Sequence, residues 1–152
     1  MPELGQAAPA FSAESTAGTV RLEGLRGKAV VLYFYPKDQT PGCTTQACGF
    51  RDLKAEFEAA GAVILGVSKD SLKSHNNFVA KQSLNFDLIT DPEKELHAAY
   101  ETWVEKKNYG RTYMGTQRST FLIDADGVLR QEWRNVRVKG HVDKVLEAVR
   151  AL

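Results

Sequence analysis

The run "AVVLYFY" at 29–35 constrains the fold more than any other stretch of this chain. It is unbroken, β-branched and aromatic, too short for a helix and far short of the roughly 20 residues of a membrane span, so it reads as a strand buried on both faces. Such a strand needs cover on two sides. A chain of 152 residues, 43% of them hydrophobic, can provide it, since a domain of this length withdraws about 70% of its unfolded surface from water. With no repeat, low-complexity tract or linker, one domain over 1–152 is expected.

The other elements follow from spacing. A polar N-terminal segment has hairpin character around Gly18. After "PKDQTPG", punctuated by two prolines and a glycine, a helical pattern runs over 41–60, with Cys43, Ala47, Phe50, Leu53 and Phe57 on one inward stripe. "AVILGV" at 62–67 is a second buried strand, helical "SLKSHNNFVAKQS" follows, and "FDLIT" is a third strand. A short helix is expected over 93–100 and a long surface loop over 105–117, which is polar, aromatic and glycine-containing. "STFLID" and "GVLRQEW", joined by "ADG", form a hairpin, and "HVDKVLEAVRAL" closes the chain as an amphipathic helix. The sum is an α/β fold: a central mixed sheet with helices on both faces.

Charge and composition exclude several functions. Lysine and arginine total 20 against 19 acidic residues, interspersed, so there is no basic stripe for nucleic acid. No segment suits a membrane, and residues 1–20 lack the basic flank and apolar core of a signal peptide, so a cytoplasmic location is expected. In a reducing compartment a permanent structural disulfide is unexpected, which leaves catalysis, metal binding or inert burial for the only two cysteines, Cys43 and Cys48.

Thr40, Pro41, Gly42 and Cys43 fit a helix start: threonine as N-cap, proline first, cysteine within the first turn. Unpaired N–H groups and the positive end of the helix dipole would stabilise a thiolate there. The junction lies beyond the carboxyl end of a buried strand, where α/β sheets build their sites. The Thr40 hydroxyl could both cap the helix and face a substrate oxygen, and Pro36 could stiffen the loop and shield the sulfur. The competing reading is that Cys43 is a small buried hydrophobe. Cys48 comes five residues later, rotated roughly 140° around the helix with Cα atoms ~8 to 9 Å apart, beyond the reach of a disulfide unless the first turns unwind. His75, His97 and His141 are scattered, with ordinary structural roles expected. A cation is the better candidate to activate Cys43. Arg118, directly before "STFLID", is placed to reach over the sheet edge, although a solvated arginine reads equally well there; Arg51 reads as a surface charge.

"YFYPKDQTPGCTTQACGFRD" resembles the active-site segment of the peroxiredoxins, specifically the peroxiredoxin Q or bacterioferritin comigratory protein branch. The resemblance continues through "GVSKDSLKSHNNF", "YMGTQRSTFLID" and "VKGH", nearly the whole chain. It implies a thioredoxin-like fold with an added N-terminal hairpin, and reduction of hydrogen peroxide and organic hydroperoxides. By the same resemblance Cys43 is the nucleophile and Cys48 the resolving cysteine of an intramolecular disulfide. Pro36, Thr40 and Arg118 match the remaining active-site positions. The resemblance further implies thioredoxin or a similar thiol as reductant, no metal or flavin cofactor, and a monomer. Two rivals stand beside it: a copper or zinc thiol site, which would favour tighter cysteine spacing and clustered histidines, and a general disulfide oxidoreductase, which would favour two intervening residues rather than four.

Overall fold

The computed structural model describes residues 2–152. Strand β3 (Ala29–Phe34) is buried along its whole length at the centre of a seven-stranded sheet. On one side it pairs in parallel with β4 (Ala62–Ser68), which pairs in parallel with β5 (Asp87–Thr90). On the other side β8 (Ser119–Ile123) runs antiparallel to β3, and β9 (Leu129–Trp133) antiparallel to β8. The expected N-terminal hairpin is present as β1 (Ser12–Ser15) and β2 (Gly18–Arg21), joined to β5 through Ser15 and Ile89.

The unbroken apolar run of β3 is explained by its two faces. Val31, Tyr33 and Tyr35 point into a core with Cys43, Ala47 and Phe50 of helix α1 (Pro41–Asp52), Phe57 of α2 (Lys54–Ala59), Phe78 of α3 (Leu72–Gln82), and Val142 and Val145 of α5 (His141–Arg150). Val30, Leu32 and Phe34 point the other way, to Leu96 of α4 (Glu95–Ala99), Tyr100 and Phe121. Each fully buried aliphatic or aromatic side chain contributes about 1.5–3 kcal/mol of burial free energy, so this strand alone fixes where both helical layers sit. Gly66 of β4 permits the layering: a Cβ there would lie 2.8 Å from Leu88 Cδ2 and 2.9 Å from the Tyr33 ring.

Two expectations need correction. The helix expected over 41–60 is two helices. Leu53 leaves helical geometry at φ −103°, ψ 8°, and the chain restarts as α2 while Phe50 and Phe57 both stay buried. The loop expected over 105–117 is largely a β-hairpin, β6 (Trp103–Asn108) and β7 (Arg111–Thr116), forming a separate two-stranded sheet. Its turn residues Tyr109 and Gly110 both have positive φ, 50° and 77°, the geometry whose twist suits a two-residue hairpin. The base of this hairpin is tied down: His97 bonds the Thr116 hydroxyl at 2.9 Å, the Gln117 amide donates to the Thr102 carbonyl at 2.7 Å, and Lys94 lies 5.1 Å over the Trp103 ring. The short helix is trimmed to Glu95–Ala99, its first amides at Leu96 and His97 donating to the Asp91 carboxylate. Among the described residues no helix is long and apolar enough to cross a membrane.

Candidate active site

Cys43 lies in the first turn of α1, facing the sheet, with 1% of its surface exposed. Pro36 is the half-buried residue just past β3, whose run ends with the Tyr35 amide donating to the Val67 carbonyl at 3.0 Å. Thr40 occupies the N-cap position with extended backbone, φ −77° and ψ 154°, but its side chain does not cap the helix. The hydroxyl is turned back to donate to the Lys37 carbonyl at 2.9 Å, so the capping part of the expectation fails while Thr40 stays at the mouth of the helix.

Arg118 reaches Cys43 because β8 is antiparallel to β3. Ser119 sits opposite Phe34, so the residue entering β8 arrives at the sheet end where β3 hands over to the cysteine loop. The Arg118 Nη2 donates to Cys43 Sγ at 3.3 Å across 75 positions of sequence, and Nη1 donates to Gln46 Oε1 at 2.6 Å. A guanidinium only donates, so Gln46 must present its oxygen, and its Nε2 has no hydrogen-bond partner among the described residues. Sequence reasoning missed Gln46. Its signal was position, three residues after Cys43 and hence on the same helical face.

Cys48 is half-buried and separate from Cys43, its thiol donating to Gln82 Oε1 at 3.6 Å. Both cysteines are free thiols. Arg51, expected as a plain surface charge, clamps α1 to the end of α3: Nη1 donates to the Gln82 carbonyl at 2.7 Å, while Asn85 Nδ2 donates to the Arg51 carbonyl at 3.2 Å. The three histidines are buried and bonded elsewhere: His75 to Asp38, His97 to Asp91 and His141 to Thr120. The only grouping of three potential metal ligands among the described residues is Asp38, Asp70 and His75, which includes neither cysteine.

The surroundings of Cys43 are electrostatically strained. Burial, then the nearby Cys43 and Asp38, push the Tyr33 phenol well above its ordinary value, and its hydroxyl has no hydrogen-bond partner among the described residues. Lys106 of β6 is held below the ordinary ammonium value by burial first and by Arg118 next, with Cys43 acting in the opposite direction. The hairpin missed by sequence reasoning therefore brings a second cation into the field of Cys43 and Arg118. The arrangement can do the following chemistry: a buried sulfur at a helix start, beside a fixed guanidinium, can hold negative charge and pass it to an atom bound between the two.

The sequence pattern of the AhpC/TSA family matches residues 4–132. Peroxiredoxin Bcp of Bacillus subtilis is 50% identical over 149 residues, covering 97% of this chain and 95% of the relative. Among solved structures, Xanthomonas campestris peroxiredoxin Q superposes with a TM-score of 0.89 at 46% identity, over 93% of this chain and 90% of that one. Xanthomonas campestris bacterioferritin comigratory protein, studied for its alkyl peroxide reduction activity, gives 0.91 at 44% identity over 98% of both chains.

Proposed function

Since the chain belongs to the AhpC/TSA family, and within it to the peroxiredoxins of the Bcp and peroxiredoxin Q kind, we propose that it is a thiol peroxidase whose nucleophile is Cys43. Residues 1–152 act as one domain. The Cys43 thiolate attacks the terminal oxygen of a hydroperoxide: the S–O bond forms, the O–O bond breaks, and the leaving oxygen departs as water or an alcohol once protonated. Thr40, the Cys43 amide and Arg118 hold the two oxygens in line and stabilise charge on the leaving one, with Pro36 shielding the sulfur. Cys48 then attacks the sulfenic sulfur and releases water, giving a Cys43–Cys48 disulfide. That bond requires the start of α1 to unwind, because an intact helix holds residues five apart beyond disulfide reach. Thioredoxin or a similar dithiol takes the disulfide back to two thiols. The protein works in the cytoplasm as a monomer, and its sulfur chemistry needs no further cofactor.

The observation that carries this reading is the 3.3 Å contact from Arg118 Nη2 to Cys43 Sγ at a buried helix start. The test is peroxide consumption coupled to thioredoxin, thioredoxin reductase and NADPH, with mass spectrometry of the oxidised protein. Cys43→Ser is expected to abolish turnover. Cys48→Ser is expected to allow one oxidation and then stall. Full activity in Cys43→Ser, or an intermolecular disulfide as the sole product, would sink the assignment.

A further inference from the structure

Past Tyr35, whose amide continues the β3 pairing to the Val67 carbonyl, the segment before α1 is fastened to the body at Asp38. The Asp38 side chain is almost fully buried, and three donors meet on it: Tyr35 Oη on Oδ1 at 2.6 Å, and Ser74 Oγ at 2.8 Å and His75 Nδ1 at 2.7 Å on Oδ2. Its backbone amide donates to Asp70 Oδ2 at 2.9 Å, and Asp70 accepts again from Ser68 Oγ at 2.6 Å. His75 is completely buried, and its other nitrogen lies 2.9 Å from the Ile89 carbonyl. A carbonyl only accepts, so the His75 ring donates to Ile89 while its other nitrogen meets the Asp38 carboxyl, and the buried ring bridges α3, β5 and the segment before α1. Burial pushes the Asp38 carboxyl up, but the bonds from His75, Tyr35 and Ser74 outweigh it and hold the group below its ordinary value.

None of these partners belongs to α1. Tyr35 ends the β3 run, Ser68 ends β4 and Asp70 follows it, and Ser74 and His75 are on α3. The contacts on the other side of the segment are of another kind. The Thr44 amide to the Thr40 carbonyl at 2.8 Å, the Thr45 hydroxyl to the Pro41 carbonyl at 3.0 Å and the Arg118 bonds to Cys43 and Gln46 all involve residues of α1. Unwinding the first turns breaks the second group and leaves the first intact. Between the two lies Gln39, held at φ 63°, a left-handed conformation that persists in a non-glycine residue only where its neighbours fix it.

We propose that Asp38 and His75 are positioning residues: they anchor the segment before α1 so that unwinding stops between Asp38 and Cys43, which biases the reduced enzyme toward the wound, peroxide-ready helix. The inference rests on the Cys43–Cys48 reading above. With the anchor in place, four residues separate the fixed point from the nucleophile, and the pocket rebuilds from that point after each reduction. Without it, looseness spreads into the end of β3 and the unwound form gains population. The two chemical steps then respond in opposite directions. The peroxide step, which needs the wound helix, slows, while disulfide formation, which needs the unwound one, accelerates.

The test is rapid-quench mass spectrometry that counts sulfenic, disulfide and sulfinic forms of Cys43 in wild type, Asp38→Asn, His75→Gln and Ser74→Ala. Ser74→Ala removes a single donor and keeps the Asp38–His75 contact, so it reports even where the other two fold poorly. Expected is an increase of about tenfold in the ratio of disulfide formation to peroxide reaction for Asp38→Asn and His75→Gln, with a smaller shift of the same sign for Ser74→Ala. The peroxide concentration giving half sulfinic acid should rise in step. A purely structural role would lower the unfolding midpoint and leave this ratio unchanged, and that result, or a ratio that falls, overturns the anchor. Failure of wild type to form the Cys43–Cys48 disulfide overturns instead the reading on which the anchor rests.

Discussion

Cys43 has one cationic hydrogen-bond partner, and that partner is aimed by an uncharged one. One arm of the Arg118 fork is held by Gln46 at 2.6 Å, which leaves the other directed at Sγ. A lysine cannot reproduce this, because a single ammonium cannot bond both groups in a fixed plane. Arg118→Lys is therefore expected to lower the second-order rate of Cys43 oxidation by about 10²–10³-fold, the usual loss for one oxyanion donor. Gln46→Ala keeps the guanidinium but frees it, with an expected loss of about tenfold. Stopped-flow oxidation by hydrogen peroxide reads both, and a wild-type rate in either variant would remove that residue from the site. Arg118 was legible in the sequence because it stands directly before an apolar strand. Gln46 was not, since a glutamine in a helix ordinarily faces water and only the folded sheet brings the arginine that makes its burial tolerable.

At the scale of elements, legibility followed burial. Strands β3 and β4 carry near-continuous apolar runs because both their faces are covered, and both were readable. The β6–β7 hairpin carries no such signal: "WVEKKN" and "RTYMGT" are mostly exposed, so neither alternates clearly, and the turn uses Tyr109 where Asn or Gly would have advertised it. The break at Leu53 was equally silent, since the inward stripe continues through it to Phe57. Tyr109 also offers a test of the hairpin. It is 99% exposed at φ 50°, so its side chain gains little from packing while its backbone sits where non-glycine residues are costly. Tyr109→Asn is expected to raise stability by up to about 1 kcal/mol with peroxide turnover unchanged. Thermal unfolding checks this, and a lowered midpoint would show that the turn is not left-handed in solution.

Across the whole molecule, the site exists because the sheet order places β8 beside β3, bringing Arg118 to a cysteine 75 positions earlier. Spacing located the strands of the central sheet but not their order, since a strand's neighbours depend on which faces the helices leave open. His141 reports on this assembly. It begins α5, its Nε2 lies 2.8 Å from the Thr120 hydroxyl of β8, and its ring meets Trp133 of β9 edge to face at 5.7 Å. Burial first, then Lys144 and Arg118, lower its titration to about 4 from 6.5. The folded protein thus favours the neutral ring, while the unfolded chain takes up a proton as pH falls below about 6.5. Stability held above that pH is lost progressively down to about 4, below which both states are protonated. The full shift would be worth about 3 kcal/mol, and solvent screening at the start of α5 reduces the expected loss to roughly 1–2 kcal/mol. The buried carboxylates Asp38 and Asp91, both held below their ordinary value against the upward push of burial, act lower, under about pH 4. Urea unfolding followed by tryptophan fluorescence should show wild type losing stability between pH 6.5 and 4. His141→Gln, less stable at neutral pH, should lose 1–2 kcal/mol less over that interval, by the same estimate. Parallel curves for the two proteins would mean that His141 is protonated within the fold, and that α5 does not pack on β8 and β9 as described.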